Sequence, residues 1–167
     1  MLVKLFLAML LLKLIALGQV FSQENEPKQG LLFGYNFFPQ NGNSYAEIAW
    51  IPYTFDYGSY YSHALPGPFT TAYTAPNIGL ELKTSTDNFI LGSKIGVSAN
   101  KYFIATGLHA IHYTDFKNSD FRLRPEIGLN LMATRFVYGY SFPLGSTKLE
   151  HVNSHNFAIT YFLKLDF

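Results

Sequence analysis

From Phe157 to Phe167 the side-chain character changes at every step. Phe157, Ile159, Tyr161, Leu163, Leu165 and Phe167 share one parity, and Ala158, Thr160, Phe162, Lys164 and Asp166 share the other. A period of two puts successive side chains on opposite sides of an extended backbone, so this segment is a β-strand with one apolar and one more polar face.

The same alternation recurs along the chain. A first strand is expected near Gly30–Phe38, where Leu31, Phe33, Tyr35 and Phe37 alternate with Leu32, Gly34, Asn36 and Phe38. The Pro39–Asn43 run is a turn by its Pro, Asn and Gly content. Further strands are expected over Ser44–Ile51, from near Phe69 to Lys83, Phe89–Ser98, Tyr102–Tyr113, Phe121–Met132, Arg135–Phe142 and Phe157–Phe167. Ala99–Lys101 and Ala133–Thr134 read as tight turns, Thr84–Asn88 and Thr114–Asp120 as polar connections, and Pro143–Asn156 as the longest loop. Eight strands of about 10 residues imply a single all-β domain: an up-and-down antiparallel barrel of transmembrane type, whose closure removes exposed strand edges.

Two segments strain this reading. Pro125 interrupts the sixth strand, where a ladder hydrogen bond is lost, so a bulge is expected that re-aims Arg122 and Arg124 relative to Glu126. Pro52–Pro68 is a long Tyr-, Gly- and Pro-rich connection. It is either an unusual loop on the side of the chain ends or the place of a further strand.

The amino terminus adds a location. Lys4, the apolar run Leu5–Leu12, Lys13, a second run Leu14–Leu17 and small residues up to Ser22 have the parts of a secretory signal peptide, with cleavage expected after Ser22. A spanning helix over the same residues would carry Lys13 at mid-bilayer, at a cost of roughly 2.5–3.5 kcal/mol. Domain boundaries are therefore 1–22 for the signal and 23–167 for the barrel. The signal holds two of the 12 basic residues and none of the 11 acids, leaving 10 against 11 in the remainder. That dispersed balance offers no footprint for nucleic acid. Without cysteine there is no disulfide framework, thiolate metal site or lipoprotein anchor. Aromatics reach 17% while charged residues are 14%, below the ~25% of a typical soluble domain. Strands that hide their hydrophobicity by alternation account for that combination.

Glu47, Glu81, Lys83, Lys94, Glu126, Asn130, Arg135, Lys164 and Asp166 fall on the polar parity with Gly34, Gly92, Gly96, Gly107, Gly128 and Gly139. Glycines weaken a solvated strand face but make room in a crowded lumen. The polar face is therefore expected inside, with acids and bases paired, including Glu126 with Arg124 or Arg135. The apolar face is expected outside, with Tyr35, Tyr45, Tyr53, Tyr102, Tyr138 and Tyr140 forming interfacial girdles, although Tyr45 shares the parity of Glu47. The inverse arrangement is a soluble, lipocalin-like ligand-binding barrel, which would turn Ile78, Leu80, Leu82 and the Phe157–Phe167 stripe inward.

The last strand, ending on Phe167, resembles the closing strand of bacterial outer-membrane barrels. Ile111–Phe116, Leu123–Gly128 and Val137–Tyr140 are further similar to a group of small, uncharacterised barrel proteins of Gram-negative bacteria. The resemblance implies residence in the cell outer membrane, contact with its lipid, and the barrel-assembly machinery as a partner through the last strand. It brings no activity and names no extracellular ligand.

No catalytic, cofactor-binding or metal-binding set is assigned, and no cofactor is expected. His151, Ser154, His155, His112 and Ser119 lie near loops on one side, where a base beside a hydroxyl could support acyl transfer by a rim-located lipid-modifying enzyme. No local motif carries that chemistry. His151 and His155 are too few for a zinc site, His63 is a loop residue, and His109 is expected in the lumen. An eight-stranded lumen filled by side chains excludes a general porin, leaving a structural role or surface binding through the loops.

Overall fold

The computed structural model describes residues 29–59, 71–84, 88–101, 103–131, 133–145, 149 and 152–165. Within them every regular element is a strand: β1 (Gln29–Phe38), β2 (Asn43–Ile51), β3 (Phe55–Ser59), β4 (Thr71–Lys83), β5 (Leu91–Lys101), β6 (Ile104–Thr114), β7 (Ser119–Leu131), β8 (Thr134–Tyr140), β9 (Phe142–Pro143) and β10 (His155–Leu165). All pairings are antiparallel. β1 pairs with both β2 and β10, β2 with β4, and β4 through β8 pair in sequence before β8 meets β10. The ring is therefore closed and has eight strands. The expected antiparallel all-β barrel of eight strands holds.

The registers define the barrel's geometry. Stepping across the sheet from Leu31 leads to Trp50, Ile78, Ile95, Ala110, Leu123 and Phe142. Extending the β8–β10 and β10–β1 registers returns that path to position 41, ten residues along from Leu31. A stagger of ten residues over eight strands tilts them by about 40° and leaves an interior that side chains can fill. One rim, here the near rim, holds the start of β1, the end of β10 and the short β5–β6 and β7–β8 turns. The far rim holds the β1–β2, β4–β5, β6–β7 and β9–β10 connections. Gly42 turns the chain between β1 and β2 at φ 67°, a backbone state that favours glycine.

Several expectations change. Ala99–Lys101 is not a turn: it belongs to β5, Lys101 pairs with Ile104, and the buried Asn100 keeps the inward parity. The final strand begins at His155 instead of Phe157, and the seventh is broken at Ser141. Pro125 makes no bulge. Pairing of β7 stops at Glu126–Gly139 and resumes at Leu123–Phe142 in the same register, so Arg122, Arg124 and Glu126 all stay inside. The missing proline donor falls where the neighbouring chain is already interrupted, and Ser141 N donates to Ser154 O at 2.6 Å. The long early connection does contain a further strand. β3 carries on along the β4 edge beyond β2 with a one-residue offset, so a β3–β4 hairpin extends past the near rim outside the ring. Met1–Ser22, His63, Tyr102, His151, Asp166 and Phe167 lie outside the described residues, as does the Lys164 side chain.

Candidate functional site

Inward parity places one chain of ionic side chains across the middle of the lumen. Lys94 on β5 pairs with Glu47 on β2 and lies 3.7 Å from Glu81 on β4. Arg124 on β7 pairs with Glu81 and stands 3.6 Å from Glu126. His109 Nε2 on β6 closes the series 3.2 Å from Glu126. Neutral groups add two further hydrogen bonds, while His109 Nδ1 and Arg124 Nε have no hydrogen-bond partner among the described residues. Tyr113 donates its hydroxyl to Glu81 Oε2 at 2.5 Å, and Asn36 Nδ2 donates to Glu47 Oε2 at 2.8 Å. Arg124 and Glu81 have no exposed surface, and Lys94 and Glu47 retain 5% each. Charges this deep are tolerated only when paired, because each pays several kcal/mol in lost hydration. Gly107 makes the centre possible, since a Cβ there would stand 2.7 Å from His109 Nε2 and 3.2 Å from Glu126 Oε2.

Arg135, the other expected partner of Glu126, is elsewhere. It donates to Ser98 Oγ at 2.9 Å and to Thr106 O at 3.0 Å, nearer the chain ends. Asn77 Nδ2 shares that serine at 3.0 Å, and Asn100 and Asn130 are buried on the same parity. Beyond them, Leu32, Ala49, Ile51 and Ala75 pack with Tyr73 and Phe162 as an apolar layer at the near rim.

The far mouth is closed by the connection into β10. Asp120 Oδ2 accepts from Arg122 Nε at 2.8 Å and Nη2 at 2.6 Å, and from Leu149 N at 3.2 Å. Arg122 Nη1 reaches Asn153 O at 3.0 Å. This clamp holds Leu149 and Val152 over Phe38, Tyr45, Ile90, Ile111 and Tyr113. Tyr45 is thus inside, edge-on to Phe38 at 5.1 Å and Tyr113 at 5.8 Å, and does not join a girdle. Its parity with Glu47 decides the matter. Tyr35 and Tyr53 are exposed, while Tyr138 and Tyr140 are half-buried on the outer wall.

The loop histidines do not assemble with serines among the described residues. His155 Nδ1 lies 2.6 Å from Tyr138 Oη and its ring 5.0 Å from Tyr140. His112 stands beside Phe121 at 6.5 Å. Ser119 faces Thr114 across the β6–β7 ladder, and Ser154 contributes its carbonyl to Ser141. No group of three or more His, Cys, Asp or Glu that could hold a metal ion occurs among the described residues. The arrangement that the fold does assemble is an ionic plug, sealed by apolar layers at both ends.

Sequence parity placed Glu47, Glu81, Lys94, Glu126 and His109 inside, but it left Arg124 dependent on a bulge and did not show the joining of Glu81 to Arg124 and Tyr113. Those partners are brought together only by register around the ring. Comparison with protein families, with curated proteins and with solved structures finds nothing that matches this chain.

Proposed function

We propose that the chain is an outer-membrane β-barrel, exported by the signal Met1–Ser22, whose role is structural or is surface binding through its far-rim loops. One observation carries the reading: the barrel is apolar outside and ionic inside. Ile95, Ile127, Ile78 and Leu129 are 50–61% exposed on the outer wall, while Arg124 and Glu81 are at zero within. The outward positions Leu80, Leu82, Phe136, Ile159 and Leu163 extend the same surface around the ring. In water this wall would far exceed the few hundred Å² of contiguous apolar patch that monomers usually expose. Hydrocarbon solvates it without penalty, and the closed ladder leaves no unpaired edge in the ring.

A lipocalin-like barrel would need Ile78, Leu80, Leu82 and the last-strand stripe to line an enclosed pocket, and the opposite facing supports the membrane reading. Lipid and the assembly machinery, acting through β10, are then the first partners. Expression of the full chain in a Gram-negative host tests the reading. Recovery with outer membranes, with heat-dependent migration on electrophoresis, is expected. Recovery in the soluble periplasmic fraction would overturn it.

A further inference from the structure

Phe116 is the most exposed large apolar side chain among the described residues, at 74%, and it sits at φ 69°. A bulky residue in the left-handed region carries about 1–2 kcal/mol of backbone strain. The β6–β7 loop is built to hold it there. Phe116 N donates to Thr114 Oγ1 at 3.0 Å, Thr114 Oγ1 donates to Asn118 O at 3.1 Å, and Asp115 Oδ1 accepts from Lys117 N at 2.9 Å and Asn118 N at 2.5 Å. Those backbone donors, Asn118 first, hold the Asp115 carboxyl below its ordinary value. Phe89, 52% exposed in the β4–β5 connection, stacks on the Phe116 ring with centroids 5.5 Å apart and planes 14° from parallel.

The pair continues the outer wall. Ile95 faces Ala110, Ser93 faces His112 and Leu91 faces Thr114 in the last rung of the β5–β6 ladder. Phe89 and Phe116 occupy the next outward position beyond it. They stand six residues past Ile95, about 20 Å along the strands and roughly 15 Å in height at a tilt near 40°. Ile95 lies midway along β5, and the apolar band of such barrels is ~25 Å tall. The rings therefore reach just past the hydrocarbon edge.

We infer that the Phe89–Phe116 stack is a lipid anchor seated in the headgroup layer at the far rim, fixing the depth of that rim in the bilayer. The inference rests on the membrane reading above, and the strained loop presents the aromatic ring at the height where lipid headgroups lie. Lys117 beside it is free of the aromatic stack and exposed, positioned to meet anionic headgroups.

Tryptophan quenching tests it. The native Trp50 is replaced by phenylalanine, and a single indole is introduced by Phe116→Trp or, separately, by Ile127→Trp in the middle of the wall. Folded protein is placed in phosphatidylcholine–phosphatidylglycerol vesicles bearing a quencher either at the headgroup or at mid-chain. The indole at position 116 should lose most of its emission to the headgroup quencher, little to the mid-chain one, and little to aqueous iodide. The indole at position 127 should respond to the mid-chain quencher. Full iodide quenching at 116 with normal mid-chain quenching at 127 would overturn the anchor and leave the membrane reading standing. Loss of lipid quenching at both positions would overturn both.

Discussion

At the scale of single residues, the lumen behaves as one coupled electrostatic unit. Removing one partner takes from the other its nearest counter-charge, at up to about 3–5 kcal/mol, whereas replacing both by apolar groups is close to neutral. Glu47→Leu alone is therefore expected to lower the unfolding midpoint in urea sharply. Glu47→Leu with Lys94→Met should recover most of the loss, and equal losses in the single and double variants would contradict the pairing. Gly107→Leu should also destabilise, by about 1–3 kcal/mol, because its side chain must enter the space held by His109 and Glu126; an unchanged midpoint would show that the space is open. The inward facing of Glu47, Glu81, Lys94 and Glu126 was legible in the sequence because strand parity needs only local spacing. Their partners were not legible. Glu81 and Arg124 are 43 positions apart and Asn36 and Asn156 are 120 apart, so only the closed register brings them together.

At the scale of elements, the sequence located the ring strands but misjudged their ends and interruptions. Polar Asn100 imitates a turn residue, yet it is an inward-facing strand position, because the lumen tolerates polar groups that a soluble core would exclude. Pro125 imitates a bulge, yet its missing donor coincides with the break at Ser141 across the ladder. A further strand within Pro52–Pro68 was only one of two readings open to the sequence, because β3 extends β2 past Pro52 and lies against only one edge of β4. The far-rim connection is the element whose behaviour most directly tests the packing. Asp120→Ala removes the acceptor of both Arg122 and the Leu149 amide. The expected result is faster proteolysis between β9 and β10 with the ring strands still protected, as mass spectrometry of the fragments would show. Uniform resistance would mean that the clamp does not hold the loop.

At the scale of the whole molecule, one pattern of alternation yields two opposite barrels, distinguished only by which face turns in. Here the wall is apolar outside and the filling ionic, and a filled interior leaves no wide aqueous channel at the level of Arg124. If the last strand is what the assembly machinery reads, deleting Phe167 should lower the yield of heat-modifiable protein in the outer membrane; normal yield would remove that partner from the account. The absence of cysteine gives a clean background for the decisive measurement. Single cysteines at Ile95, Ile127 and Leu163, in protein folded into vesicles, are to be challenged with a membrane-impermeant maleimide. All three are expected to stay unlabelled until the bilayer is dissolved and the chain unfolded in urea. Labelling of the folded protein at the rate of the unfolded chain would show that water, not hydrocarbon, covers the outer wall.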